Sequence, residues 1–180
     1  NFMHMTYKYL LGLLKAGLYK EFNEAMKTNL VCFMNPEVYG RSPMEHSSFI
    51  ASSANPDPLL HGQGFVARLS GTTAEMISIW LYMMLGKHMF VMENGELKLA
   101  LNPHLHSSFF TNEGKVSFKL LGHTLVTYKS DVIKSVYDED CISHYDLIKD
   151  SKTITLKEVK GEEALKVRNG YYDHIIAYIK

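Results

Sequence analysis

Apolar positions at the start of the chain recur at a helical interval. Met3, Tyr7, Leu10, Leu11 and Leu14 share one face of a 3.6-residue period, which predicts a helix over 2–16. Gly17 then stands where a helix end favours a left-handed residue. Residues 18–30 predict a second helix, with Phe22, Ala25 and Met26 on one face and Lys20, Glu21, Glu24 and Lys27 on the other. The short break between them predicts an antiparallel pair. A third helix is predicted over 72–85. Thr72 and Glu75 have the S/T-x-x-E spacing of a capping box. Met76, Ile77, Ile79, Trp80, Leu81, Met83, Met84 and Leu85 then cover nearly every face, the pattern of a helix buried on most sides.

Past residue 87 the period falls to two. Apolar runs at 90–92 and 97–101 flank Glu93-Asn94-Gly95-Glu96, and Asn-Gly is a strong hairpin signal. Residues 116–121 and 124–128 alternate as a second hairpin about Gly122-His123. Further strands are expected at 142–148, 153–158 and 171–179, with a short helix at 162–167. The expected class is therefore α+β: a helical part over 1–86, then an antiparallel β-sandwich over 87–180.

Between the second and third helices lies the stretch 35–71, dense in polar and aromatic groups. It holds Glu37, Tyr39, Arg41, Glu45, His46, His61, Gln63, Arg68 and Ser70. Segments of that length without regular structure are usually functional or disordered. Phe49, Ile50, Leu59, Leu60, Phe65, Val66 and Leu69 argue against disorder.

Composition removes several function classes. The 180 residues are 46% hydrophobic and 21% charged, with zero formal net charge. No basic block exists, which argues against binding a nucleic-acid backbone. Cys32 and Cys141 are isolated, so neither a disulfide framework nor a thiolate metal site is expected. The nine histidines show no metal-ligand spacing. No apolar run reaches the roughly 18 residues of a membrane span, and no secretory leader pattern opens the chain. A cytoplasmic protein is expected. Asn1-Phe2-Met3 enters a helical pattern without lead-in, and we expect a piece of a longer polypeptide.

Candidate chemistry concentrates at two places. Ser70-Gly71-Thr72 opens the third helix, where free amides and the positive dipole end favour anions such as phosphate; the same residues also serve as an ordinary cap. Arg41 and Arg68 are forks suited to phosphate or carboxylate, or to structural pairing with Glu37 or Glu45. His46 reads either as a site residue or as a satisfied loop histidine. Gln63 offers an amide to a sugar hydroxyl, or is simply exposed.

The run NPEVYGRSP, followed by SSFI, NPDP, HGQGFVARLSG and TAE, resembles the C-terminal part of inverting glycoside phosphorylases of the cellobiose-phosphorylase-like family, including enzymes acting on β-glucan oligosaccharides. Residues 114–122 resemble that family's C-terminal β domain. The resemblance implies the last helices of an (α/α)6 barrel over 1–86, with 35–71 as an active-site loop, then a jelly-roll β-sandwich over 87–180. It implies reversible inverting phosphorolysis of β-linked gluco-oligosaccharides to α-glucose 1-phosphate, with inorganic phosphate as co-substrate and no cofactor. His46, Ser70, Gly71 and Thr72 would meet phosphate; Tyr39, Arg41, Glu45 and Gln63 would line the sugar side. The general acid lies upstream in that family, and none of Asp57, Asp131, Asp138, Asp140, Asp146, Asp150 or Asp173 matches it. Partners would be glycan, phosphate and the rest of the barrel, with a homodimer open. A non-catalytic carbohydrate-binding or structural module and an inverting hydrolase on the same barrel are the alternative readings.

Overall fold

The computed structural model describes residues 1–66 and 71–180, which form two compact units, Asn1–Tyr82 and Met83–Lys180. The sequence boundary at 86/87 falls four residues beyond that division.

In the first unit, α1 (Met3–Lys15) and α2 (Tyr19–Asn29) take up the two predicted stripes. Tyr7, Leu10 and Leu14 are fully buried, with Phe22 and Met26 of α2 nearly so. The turn between the helices is a Schellman cap. Gly17 adopts φ 74°, its amide bonds to the Leu14 carbonyl at 3.1 Å, and the Leu18 amide reaches Leu13 at 3.0 Å.

Over its described residues 35–66, the stretch 35–71 is built rather than loose. A single turn, α3 (Pro36–Tyr39), is capped by Asn35, whose side chain accepts from the Glu37 amide. A two-residue hairpin pairs β1 (Phe49–Ile50) with β2 (Gly64–Phe65). Phe2 bridges to Phe49 on the free edge of β1, so the chain start seals that edge. α4 (Gly71–Leu85) follows.

Two expectations for α4 need correction. The capping box does not form: the helix already includes Gly71, the Thr72 hydroxyl has no hydrogen-bond partner among the described residues, and Glu75 turns to His4 at 3.5 Å. The second, burial on most sides, is broken along one face. Ile77 and Leu81, four residues apart on one face, are 56% and 43% exposed.

The second unit begins with the last turn of α4. Its carbonyls are collected by the chain that follows. Asn102 donates its amide to Leu85 at 3.1 Å, His104 to Met83 at 2.7 Å, and the Tyr128 hydroxyl to Met84 at 2.6 Å. These are carbonyls that a helix end leaves without intrahelical partners. Tyr128 is fully buried, and burial drives its pKa well above the ordinary tyrosine value. Tyr128→Phe is expected to strand the Met84 carbonyl and cost about 2 kcal/mol, read as a lowered urea midpoint at unchanged m-value. An unchanged midpoint would show that the carbonyl finds another donor.

β3 (Phe90–Glu93) and β4 (Glu96–Leu99) form the predicted hairpin; Asn94 and Gly95 both have positive φ, 52° and 83°, as a type I′ turn demands. The remaining strands are β5 (Lys115–Leu120), β6 (Thr124–Lys129), β7 (Ile142–Lys149), β8 (Lys152–Leu156) and β9 (His174–Ile179). They make one sheet in the order β5-β6-β9-β7-β8. All pairs are antiparallel except β6 with β9, which run parallel. The antiparallel expectation fails there because β9 enters between β6 and β7 after the crossover through α5 (Gly161–Arg168). Val126, Leu147, Ile175 and Ala177 from the central strands are fully buried. Lys98 and Lys160 each bridge Glu93 and Glu158, tying the β3–β4 hairpin to the segment after β8. Those bonds hold the Glu158 carboxyl down at about 2. The class is α+β. Among the described residues no helix is long and apolar enough to cross a membrane.

Candidate functional site

The residues singled out in the sequence fall into three small clusters, all in the first unit. In the first, Tyr39 is the pillar. Its ring is 1% exposed, and its hydroxyl donates to the Glu45 carbonyl at 2.7 Å while accepting the Ser47 amide at 3.0 Å. Both bonds go to backbone, so Tyr39 has no free polar group for a ligand. It shapes the turn that presents Glu45 and His46.

Arg41 braces the same turn. Its Nε donates to the Gly64 carbonyl at 2.7 Å and its Nη1 meets Glu45 Oε1 at 3.0 Å. The pair is a third to a half exposed, so its own energy is small. The Nε bond matters more, because it ties α3 to β2. Gln63 spends its amide on the Leu59 carbonyl at 2.8 Å, leaving its side-chain oxygen as the group it can present.

His46 forms the second cluster. Its Nδ1 lies 3.2 Å from the Tyr7 hydroxyl, and the rings meet edge to face. The Tyr7 hydroxyl also accepts the Val31 amide at 3.1 Å. Burial pushes Tyr7 up to about 12, and it pushes His46 below the ordinary histidine value. Sequence reasoning passed over Tyr7, whose helical spacing marks it as core and says nothing of its hydroxyl.

The third cluster is the start of α4. Gly71 packs on the His4 imidazole so closely that a Cβ there would stand 2.5 Å from Nδ1. Thr72 is 1% exposed with its hydroxyl unbonded among the described residues. The Ser47 hydroxyl is in the same state, fully buried and unbonded. Buried hydroxyls without partners are rare and costly. Ser70 and Arg68 lie outside the described residues. His4 was not singled out in the sequence, and Glu75 only as a capping residue; their pairing spans the chain from residue 4 to residue 75, and no local signal carries it.

α1 connects the last two clusters. His4, against Gly71, and Tyr7, against His46, stand three residues apart and so share a face. The first turn of α4 and His46 therefore meet consecutive turns of one helix. Separately, a cleft of about 450 Å³ opens beside Phe33, Val38 and Ile50; its lining includes Tyr39 but none of Arg41, Glu45, His46, Gln63, Gly71 or Thr72. Chemically, the segments that meet α1 here carry the start of a fifteen-residue helix and an imidazole, and next to them in the chain the buried hydroxyls of Thr72 and Ser47. That set suits an oxyanion. No family model matches this chain, and no curated protein matches it.

Proposed function

We propose that this chain is the C-terminal part of an inverting glycoside phosphorylase acting on β-linked gluco-oligosaccharides. In this reading the first unit carries the closing helices of an (α/α)6 barrel, and the second is the β-sandwich that follows it. The observation that supports the proposal is that α1 touches both ends of the stretch whose motifs resemble that family, Tyr7 meeting His46 and His4 meeting Gly71.

The chemistry follows from the groups available. A phosphate oxygen attacks the anomeric carbon as the bond to the leaving oxygen breaks, and an acid outside this chain protonates that oxygen. Phosphate replaces the water and base of an inverting hydrolase. What remains for these residues is to fix a dianion. The Gly71 and Thr72 amides and the helix dipole supply that field, with the Thr72 and Ser47 hydroxyls and the His46 imidazole as further donors. Ser70 joins them by its place in the motif. Arg41, Glu45 and the Gln63 oxygen face the sugar side. A cytoplasmic location fits phosphate as co-substrate.

Thr72→Val separates this reading from a structural role. Removing a buried unbonded hydroxyl is expected to stabilise the free chain by about 1 kcal/mol. If that hydroxyl receives phosphate, the same change weakens phosphate binding about tenfold, read by calorimetric titration. Stabilisation with unchanged phosphate affinity would remove Thr72 from the site. The 180 residues alone are expected to release no α-glucose 1-phosphate from β-glucan, since the acid is elsewhere; release would overturn that assignment. Glycan binding that ignores phosphate would favour a non-catalytic carbohydrate-binding module.

A further inference from the structure

We infer that Tyr7 is a positioning residue that locks His46 as the neutral tautomer with its proton on Nε2, making that nitrogen a fixed hydrogen-bond donor. The argument is a count of protons around one oxygen. The Val31 amide is only a donor, so the Tyr7 oxygen accepts it at 3.1 Å. Tyr7 has a single hydroxyl proton, and its other partner is His46 Nδ1 at 3.2 Å. Tyr7 is 0% exposed, so no solvent is at hand to take that proton instead.

Were Nδ1 to carry the imidazole proton, two donors would converge on the Tyr7 oxygen, and its own proton would have no hydrogen-bond acceptor among the described residues. A buried donor without an acceptor costs on the scale of a whole hydrogen bond. The favourable arrangement runs one way: the Val31 amide to the Tyr7 oxygen, then the Tyr7 proton to Nδ1. The imidazole proton is left on Nε2, which has no hydrogen-bond partner among the described residues. Burial, which disfavours the charged ring, works in the same direction.

α1 enforces the geometry. Tyr7 sits mid-helix among Met3, Leu10, Leu11 and Leu14, with no room to swing. The carboxylate of Glu45 is turned away to Arg41 and does not compete for the ring. The tautomer follows from these contacts alone. That the Nε2–H serves a phosphate oxygen rests on the function proposed above. In that role a neutral donor binds the dianion without adding a proton, so phosphate keeps the nucleophilic oxygens the displacement needs.

Long-range ¹H–¹⁵N spectra of the histidine rings test this on the 180-residue chain, with His46→Asn identifying the His46 signals. The wild type is expected to show a protonated Nε2 and an unprotonated Nδ1. Tyr7→Phe should replace that pattern with an average of both tautomers. A proton on Nδ1 in the wild type would overturn the inference without any variant being needed. A single Nε2–H tautomer persisting in Tyr7→Phe would overturn the role of Tyr7. Inorganic phosphate then separates the two claims: it should shift His46 Nε2 in the wild type, with about tenfold weaker response in Tyr7→Phe. A locked Nε2–H that ignores phosphate would sink the phosphate reading and leave the positioning role intact.

Discussion

Gly64→Ala is expected to destabilise the first unit by about 3 kcal/mol and to dismantle the turn that presents Glu45 and His46. A methyl group on Gly64 would drive into the Tyr39 ring, meeting Cε2, Cζ and Cδ2. The ring cannot retreat cheaply. It is 1% exposed, and moving it breaks the hydroxyl bonds to the Glu45 carbonyl and the Ser47 amide. Moving the backbone instead pulls Gly64 from its pairing with Ile50 and from the Arg41 Nε bond at 2.7 Å. Every route loses contacts that hold 39–48 together. Thermal unfolding should show a midpoint lower by about 10 °C. Gly12→Ala is the control: nothing lies within 4 Å of its Cβ position, and alanine in an exposed helix interior should add about 0.5–1 kcal/mol. Equal midpoints for Gly64→Ala and wild type would mean that the Tyr39 ring has slack the packing does not show.

Acidification from pH 7 to pH 4 should remove about 3 kcal/mol of stability from the second unit through His104 alone. His104 is 5% exposed, and burial lowers its pKa from 6.5 to about 4. The folded state holds the ring neutral while the unfolded chain binds a proton at the ordinary value. Between those two values the unfolded state carries more protons, so stability falls as pH falls; above about 6.5 the contribution is complete. The position matters because the His104 amide also closes the end of α4 on the Met83 carbonyl at 2.7 Å. His174, also lowered by burial, adds a loss of the same sign, and His46 does so in the first unit. Carboxylates such as Glu158 and Glu93 are held low by their lysines, and their share starts to fall near the ordinary glutamate value of about 4.5, at the acid end of the histidine window. Urea midpoints at pH 7, 6, 5 and 4 check this, with His104→Gln expected to flatten the slope between pH 6.5 and 5. A slope unchanged by that substitution would assign the acid sensitivity elsewhere.

What was legible in the chain was its local periodicity. The α1 and α2 stripes, the Gly17 stop and the Asn94-Gly95 turn all appear where spacing places them, because each is decided within a few residues. The helix at 162–167 and the strands of the second half follow for the same reason, with ends shifted by a residue or more. The candidate site was legible only as a region. Arg41 with Glu45 is an i,i+4 pair that a sequence can offer, and it formed. The burial of Tyr39 was not legible, since an aromatic in a polar stretch looks the same whether it faces a ligand or fills a core.

By itself, then, the sequence determined which faces are apolar, where helices stop and where the chain reverses. Only the tertiary structure decided what each face meets. Tyr7 against His46, Gly71 against His4, Glu75 diverted from its cap, and β9 parallel to β6 are contacts between segments far apart in the chain. A residue's period states that it is buried, but hydrogen-bond direction and charge pairing depend on the atom it is buried against. That atom is chosen by how the whole unit closes its core, and the one face of α1 that joins His46 to the start of α4 exists only after it has closed.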